Sequence, residues 1–277
     1  MLRELKKSVF LDLSKKAVLA AKEEDNELKR IWNLSMDTIS GCEDHFNNSV
    51  LTEESSLRVR LLICAEVYFL EQVVRSLFKE NSGWSILDIG DSDGSTRLLL
   101  KASLGVDFES LGVNLQQKAV AKMRARGLKG ECVDAMDLGK SKSKYDIVSL
   151  FETMEHLPDP VGFLRSIRNI VGQRLVISVP LLNRSRVGLR YLDSDWPADK
   201  AATIENVHVF ELCPSDWERL FRHSGWRVDR EWKIRHYPSR GLLKHIMQFA
   251  WRRISFEGFW FVSLKRESAF ESKFRIE

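Results

Sequence analysis

Apolar residues recur at helical spacing through the first part of the chain and fall into short bursts after Trp84. This change of texture divides the sequence. Residues 2–30 are rich in Lys, Leu, Ala and Glu, all good helix formers. Val9, Leu13, Val18 and Ala21 fall roughly on one face, so a helix is predicted there. A polar break over 40–56 separates it from a second helical stretch, 57–78. There Leu61, Leu62, Ala65, Val67, Tyr68, Val73 and Val74 build a broad apolar face. No strand pattern precedes Trp84.

From Trp84 onward, strands and helices alternate. Short apolar runs at 85–90, 110–115, 131–135, 145–151 and 174–180 read as buried strands. Helical patterns at 94–101, 116–126 and 161–171 lie between them. Strict alternation implies βαβ units and a doubly wound, mostly parallel α/β sheet. The rhythm breaks at 181–208, a long polar segment without periodicity, of a length usually tied to function or mobility. Residues 181–207 are therefore expected to form a mobile lid. A helix at 214–224, a strand at 226–235, an amphipathic helix at 241–254 and a strand at 256–265 complete the pattern.

Composition adds boundaries. The 277 residues, 44% hydrophobic and 30% charged, suit one large soluble domain with an extra segment. The net charge of +4 is small, and nothing resembles a nucleic-acid-binding module. From residue 214 onward there are 14 Lys and Arg against 8 Asp and Glu, which reads as a solvated basic face. Cys42, Cys64, Cys132 and Cys213 are irregularly spaced, as expected of reduced thiols in a cytoplasmic protein rather than a zinc or disulfide framework. No window has 18 uncharged apolar residues, so no transmembrane helix is predicted. Peripheral membrane contact through 241–254 stays open, but packing against the sheet is favoured.

In such a sheet, ligands bind outside the carboxyl ends of the strands. The first run ends in Gly90-Asp-Ser-Asp-Gly94, whose glycines permit a sharp turn and close ligand approach. The second ends at Asn114 and Leu115, the third at Asp134-Ala135-Met136, and the fourth at Phe151-Glu-Thr-Met-Glu-His156. A nicotinamide-dependent reductase would need G-x-G-x-x-G at the first turn. The turn here is G-x-x-x-G.

The stretch Ile86-Leu-Asp-Ile-Gly-Asp-Ser-Asp-Gly94 resembles the first motif of class I S-adenosylmethionine (SAM)-dependent methyltransferases. Residues 145–160, with Glu155-His-Leu and Pro158-Asp-Pro160, resemble their fourth motif. The likeness is to the branch that includes ubiquinone-biosynthesis and sugar or natural-product methyltransferases. His208-Val-Phe210, Trp217, Leu220, Phe221 and Gly225-Trp-Arg-Val228 extend it, so that it covers about residues 80–267. It implies a seven-stranded sheet with the last strand antiparallel and does not cover the N-terminal helices; the expected organisation is an N-terminal helical cap at 1–82 followed by a methyltransferase domain at 83–277. It further implies that Asp88, Gly90, Asp91 and Gly94 hold the methionine part of SAM, Asn114 and Leu115 the ribose, Asp134, Ala135 and Met136 the adenine, with Phe151 beside the methionine. S-adenosylhomocysteine would be the product. Where the family usually carries a middle glycine and an acidic strand end, this chain has Ser92 and Asn114. A neutral amide is a weaker acceptor than a carboxylate, so Asn114→Asp is expected to tighten SAM binding.

Methyl transfer from a sulfonium needs a well-placed nucleophile and, for an O or N acceptor, a proton acceptor. His156 and His208 are the candidates. Glu152-x-x-Glu155-His156 with His208 also permits mixed carboxylate and imidazole ligation of a divalent ion, but no metal is expected there. A small molecule, sugar or lipid-linked intermediate is the expected acceptor, held by the N-terminal helices and by Arg184, Arg186, Arg190, Tyr191 and Trp196 of the lid. The alternative is a non-catalytic binding protein on the same fold.

Overall fold

A computed structural model describes Lys16 and residues 19–23, 25–39, 53–78, 83–187, 207–235 and 256–267. The amphipathic stretch 241–254, most of the lid, and Arg190, Tyr191 and Trp196 lie outside the described residues.

Among the described residues, residues 19–22 are helical, and two helices of stated bounds, α1 (Asn26–Thr38) and α2 (Glu53–Leu77), precede the sheet. The predicted helix over 2–30 does not run through Asp25. That side chain accepts hydrogen bonds from the N–H groups of Glu27 (2.8 Å) and Leu28 (3.2 Å), capping a new helix there. The remaining elements are β1 (Ser85–Ile89), α3 (Ser95–Leu104), β2 (Glu109–Asn114), α4 (Gln117–Ala125), β3 (Gly130–Cys132), β4 (Tyr145–Phe151), α5 (Pro160–Ser166), β5 (Val171–Leu182), β6 (Arg186–Val187), β7 (Phe210–Glu211), α6 (Pro214–His223), β8 (Trp226–Arg235) and β9 (Phe256–Arg266).

Seven strands form one sheet in the order β3-β2-β1-β4-β5-β9-β8. The first five are parallel, and β9 runs antiparallel to both β5 and β8. The expected doubly wound sheet with an antiparallel last strand is therefore present. Its central strands are buried on both faces, which is why they read as near-continuous apolar runs. Side chains alternate between two cores. Ile86, Ile147, Val176 and Phe261 face α1, α2 and α3, whereas Leu87, Val148, Ile177 and Val262 pack with Trp217 and Phe221 of α6. Each such aliphatic side chain contributes about 1.5–3 kcal/mol on burial. Leu28, Ile31, Phe69 and Leu70 of α1 and α2 belong to the same core as β1 and β4.

The segment expected to be a lid from residue 181 is ordered at its start. Leu181 and Leu182 are buried at the end of β5. Arg186 and Val187 then pair with Glu211 and Phe210, and Ser185 Oγ meets Asp216 of α6 at 2.5 Å. No helix among the described residues is long and apolar enough to cross a membrane.

Candidate active site

Strand order reverses direction between β1 and β4, and a ligand crevice is expected at their carboxyl ends. A cavity of about 370 Å³ lies there. Gly90, Asn114, Leu115, Asp134, Ala135, Phe151, His156 and His208 all line it, together with Ser92. A wider depression of about 650 Å³ lies at the opposite strand ends, against Ser85 and Asp146. Asp146 is occupied there, accepting from the Ser85 N–H (2.9 Å) and hydroxyl (3.0 Å) and so bracing the start of β1.

The first turn is built by its own side chains. Asp91 accepts the Gly94 N–H at 2.7 Å and forms a buried ion pair with Arg97 at 2.6 Å. Gly90 and Gly94 have φ of 85° and 82°, conformations that disfavour any residue with a Cβ. Ser92 has no positive φ, so a serine at the middle of the turn carries no such strain. Asp88, Asp91, Gly94 and Met136 do not line the cavity. Asp88 accepts from Ser149 Oγ at 2.8 Å behind the turn. Burial, reinforced by Asp91, pushes its carboxyl up to about 8. Met136 packs into the core, and its N–H is held by Asp134 Oδ1 at 2.9 Å.

Asn114 has both ends of its amide committed. Oδ1 accepts the Gln116 N–H at 2.7 Å, and Nδ2 donates to the Asp91 carbonyl at 3.1 Å. The neutral side chain therefore ties β2 to the β1 turn, a job that a carboxylate cannot do. Asn114→Asp is expected to remove about 0.5–1.5 kcal/mol of stability from the ligand-free chain, measured by urea unfolding. Unchanged stability would show that the Nδ2 contact carries nothing.

Glu66 escaped sequence reasoning, and Glu152 is singled out there only within the Glu152-x-x-Glu155-His156 motif. Glu66 of α2 is buried in the cavity wall and accepts from Thr96 Oγ1 at 2.6 Å. Its only sequence signal is a charge inside the apolar run 61–70. Glu152 also lines the cavity, with φ of 46°, the one non-glycine positive φ among the described residues. Ser178 holds it in place. The Ser178 hydroxyl donates to Glu152 Oε1 at 2.8 Å, and the Glu152 N–H reaches the Ser178 carbonyl at 3.2 Å. Backbone strain of this kind clusters at functional sites. Burial raises both carboxyls well above the usual range, helped in Glu152 by neighbouring Glu155.

The two histidines meet edge to face, with ring centroids 4.7 Å apart. Nδ1 of His156 lies 3.0 Å from the Val207 carbonyl. Nδ1 of His208 lies 3.3 Å from Glu211 Oε1. Glu211 is held down at about 2 by that contact and by Arg186, its partner across the β6–β7 pair. The Val209 N–H donates to the Glu155 carbonyl at 2.7 Å, so the β4 loop and the segment before β7 are pinned together. Arg184 is exposed.

Residues 63–250 match the family described as "Methyltransferase domain". The chain is 24% identical over 164 residues to the ubiquinone biosynthesis O-methyltransferase of Thiobacillus denitrificans, covering 53% of this chain and 66% of that protein. It is 22% identical over 158 residues to the enzyme of the same name from Neisseria meningitidis serogroup C, covering 53% and 65%. The chain thus spans just under two thirds of the length of these curated relatives. Its fold is similar to that of magnesium protoporphyrin IX methyltransferase from Synechocystis PCC 6803 with bound SAM, at 12% identity and a TM-score of 0.52, covering 88% of this chain and 98% of that one. It is also similar to that of the [4+2]-cyclase SpnF, at 13% identity and a TM-score of 0.51, covering 87% and 93%.

Proposed function

The chain belongs to the family of methyltransferase domains with the class I architecture, and on that premise we propose that it binds SAM in the 370 Å³ cavity and methylates an O or N nucleophile of a small-molecule, sugar or lipid-linked acceptor. The observation that carries the reading is the convergence of the ends of β1 to β4 on one cavity, with both histidines in its wall. The cavity fits the group: Gly90 forms part of its wall without a side chain, and a Cβ there would strike Thr153 beside it.

In this reading the Gly90–Gly94 turn holds the methionine part, braced from behind by Asp88 and Asp91. Asn114 and Leu115 take the ribose, Asp134 and Ala135 the adenine edge, and Phe151 the flank of the methionine. When bound, SAM supplies a methyl group on an activated sulfonium, whose C–S bond breaks as the acceptor's lone pair attacks. The chain positions that acceptor in line, which supplies much of the rate. His208 takes the acceptor's proton, its ring oriented by Glu211 as a carboxylate orients a general base. Leu62 and Glu66 bring α2 into the acceptor side of the cavity.

Calorimetric titration with SAM and with S-adenosylhomocysteine tests this without knowledge of the acceptor. Saturable binding of both is expected. No heat at millimolar ligand would sink the enzyme reading, and binding without transfer across an acceptor panel would favour the non-catalytic alternative.

A further inference from the structure

The cavity wall is acidic. Glu66, Asp134, Glu152 and Glu155 line it, and among the described residues no lysine or arginine does. Of the arginines expected to hold the acceptor, Arg184 is exposed and Arg186 is paired with Glu211, and neither lines the cavity. Asp134 has a task of its own, since its Oδ1 accepts the Met136 N–H. That leaves three glutamates. SAM brings a sulfonium and an ammonium against one carboxylate, a single net positive charge, so the cofactor leaves most of this charge unmatched.

Glu66 is the carboxylate that the strand ends do not account for. It reaches the cavity from α2 and is only 4% exposed. The Thr96 hydroxyl donates to its Oε2 at 2.6 Å, while Oε1 accepts no hydrogen bond among the described residues. Burial, reinforced by the charges of Asp88, Glu152 and Asp91, pushes this carboxyl well above the usual range. A cation beside it reverses that push. Glu155, 1% exposed in the same wall, has no hydrogen-bond partner on either oxygen. Buried carboxylate oxygens without donors are costly, and a ligand that brings its own donors removes the cost. The rest of this side is apolar, with Leu62, Phe151, Leu157 and Phe259 in the wall.

We propose that the methyl acceptor is a cationic small molecule, an ammonium group on a compact apolar body, and that Glu66 is its anchor. This rests on the functional reading above and narrows its acceptor class. A protonated amine gives charge-assisted hydrogen bonds to a carboxylate, and its apolar body covers the aliphatic and aromatic wall. The anchored ammonium has no lone pair and is not the atom that reacts. The reacting oxygen or nitrogen is a second group of the same molecule, on the His208 side. An acceptor bearing a phosphate or carboxylate is disfavoured, because its charge would enter among glutamates with no lysine or arginine to meet it.

The test uses benzylamine, benzyl alcohol and benzoate, which match in size and differ in charge. Each is titrated onto the full chain saturated with S-adenosylhomocysteine, with ligand-observed NMR as the readout. Benzylamine is expected to bind at least about tenfold more tightly than the other two. This comparison needs no variant. Glu66→Gln keeps a carbonyl for the Thr96 hydroxyl and removes the charge. It should abolish the preference for the amine and leave S-adenosylhomocysteine affinity unchanged, with circular dichroism as the folding control. Four results would each overturn the proposal: no benzylamine binding at millimolar concentration, equal or tighter binding of the alcohol or benzoate, a preference kept in the folded variant, or a variant that loses S-adenosylhomocysteine, which would put Glu66 on the cofactor. Failure of S-adenosylhomocysteine to bind the wild type is a different result. It sinks the methyltransferase reading, while the same series on the protein alone still decides whether Glu66 anchors a cation.

Discussion

Replacing Arg97 with methionine is expected to remove about 3–5 kcal/mol of stability, the usual effect of stripping one partner from a buried ion pair. Arg97 and Asp91 are both nearly inaccessible and 2.6 Å apart. The guanidinium also donates to the Lys129 carbonyl at 3.1 Å. It lies across β2 where Gly112 leaves room: a Cβ at Gly112 would strike the guanidinium and would sit 2.7 Å from Asp91 Oδ2. Methionine keeps the volume and loses the charge, so the Asp91 carboxylate is left buried with only the Gly94 N–H to satisfy it. Asp88, already raised to about 8 by burial and by Asp91, loses its compensating cation as well. Most domains have only about 5–15 kcal/mol in total, so the variant should be close to unfolding. Urea denaturation measures it. The double variant Asp91→Asn, Arg97→Met should recover part of the loss, because no lone buried charge remains. A drop under about 1 kcal/mol in the single variant would mean that water reaches the pair.

The sheet was legible in the sequence because its strands are buried on both faces. Ile86 to Ile89 and Ile147 to Leu150 are apolar enough to be seen without any partner. Polar interruptions inside those runs, Asp88 and Ser149, mark the positions that hold each other behind the turn. Helix ends were less visible. Asp25 caps α1 within a stretch whose Lys, Leu and Glu content favours helix throughout. The β6–β7 pair was invisible, since nothing in Arg186–Val187 reads as strand. It exists because Arg186 meets Glu211, and Ser185 meets Cys213 and Asp216, far along the chain. The strand-end residues of the site could be placed once strands were placed. Glu66 could not, because a helix near the start of the chain brings it there, and only a charge in an apolar stretch hinted at it. The structural tie that Asn114 makes was hidden for a similar reason. Its partner, the Asp91 carbonyl, belongs to another strand's turn.

Gly90→Ala is expected to abolish cofactor binding while leaving a folded protein, and the comparison with Gly105→Ala separates the two effects. Both glycines have positive φ, 85° and 67°. Alanine in that region costs about 1–2 kcal/mol in either place. At Gly105, the cap of α3, a Cβ meets nothing within 4 Å, so the conformational cost is the whole effect. At Gly90 a Cβ would overlap Thr153 Oγ1. Thr153 cannot simply turn away, because its hydroxyl donates to the Phe151 carbonyl at 2.8 Å in the wall of the same cavity. The added methyl therefore either intrudes where the methionine part of SAM is proposed to lie, or displaces the β4 loop that carries Glu152, Glu155 and His156. Both outcomes act on binding. Unfolding should show similar losses for the two variants, with Gly90→Ala somewhat the larger. Calorimetry should show SAM binding kept in Gly105→Ala and weakened more than about a hundredfold in Gly90→Ala, that is by some 3 kcal/mol. Equal retention of binding in both would place the cofactor away from the Gly90 turn.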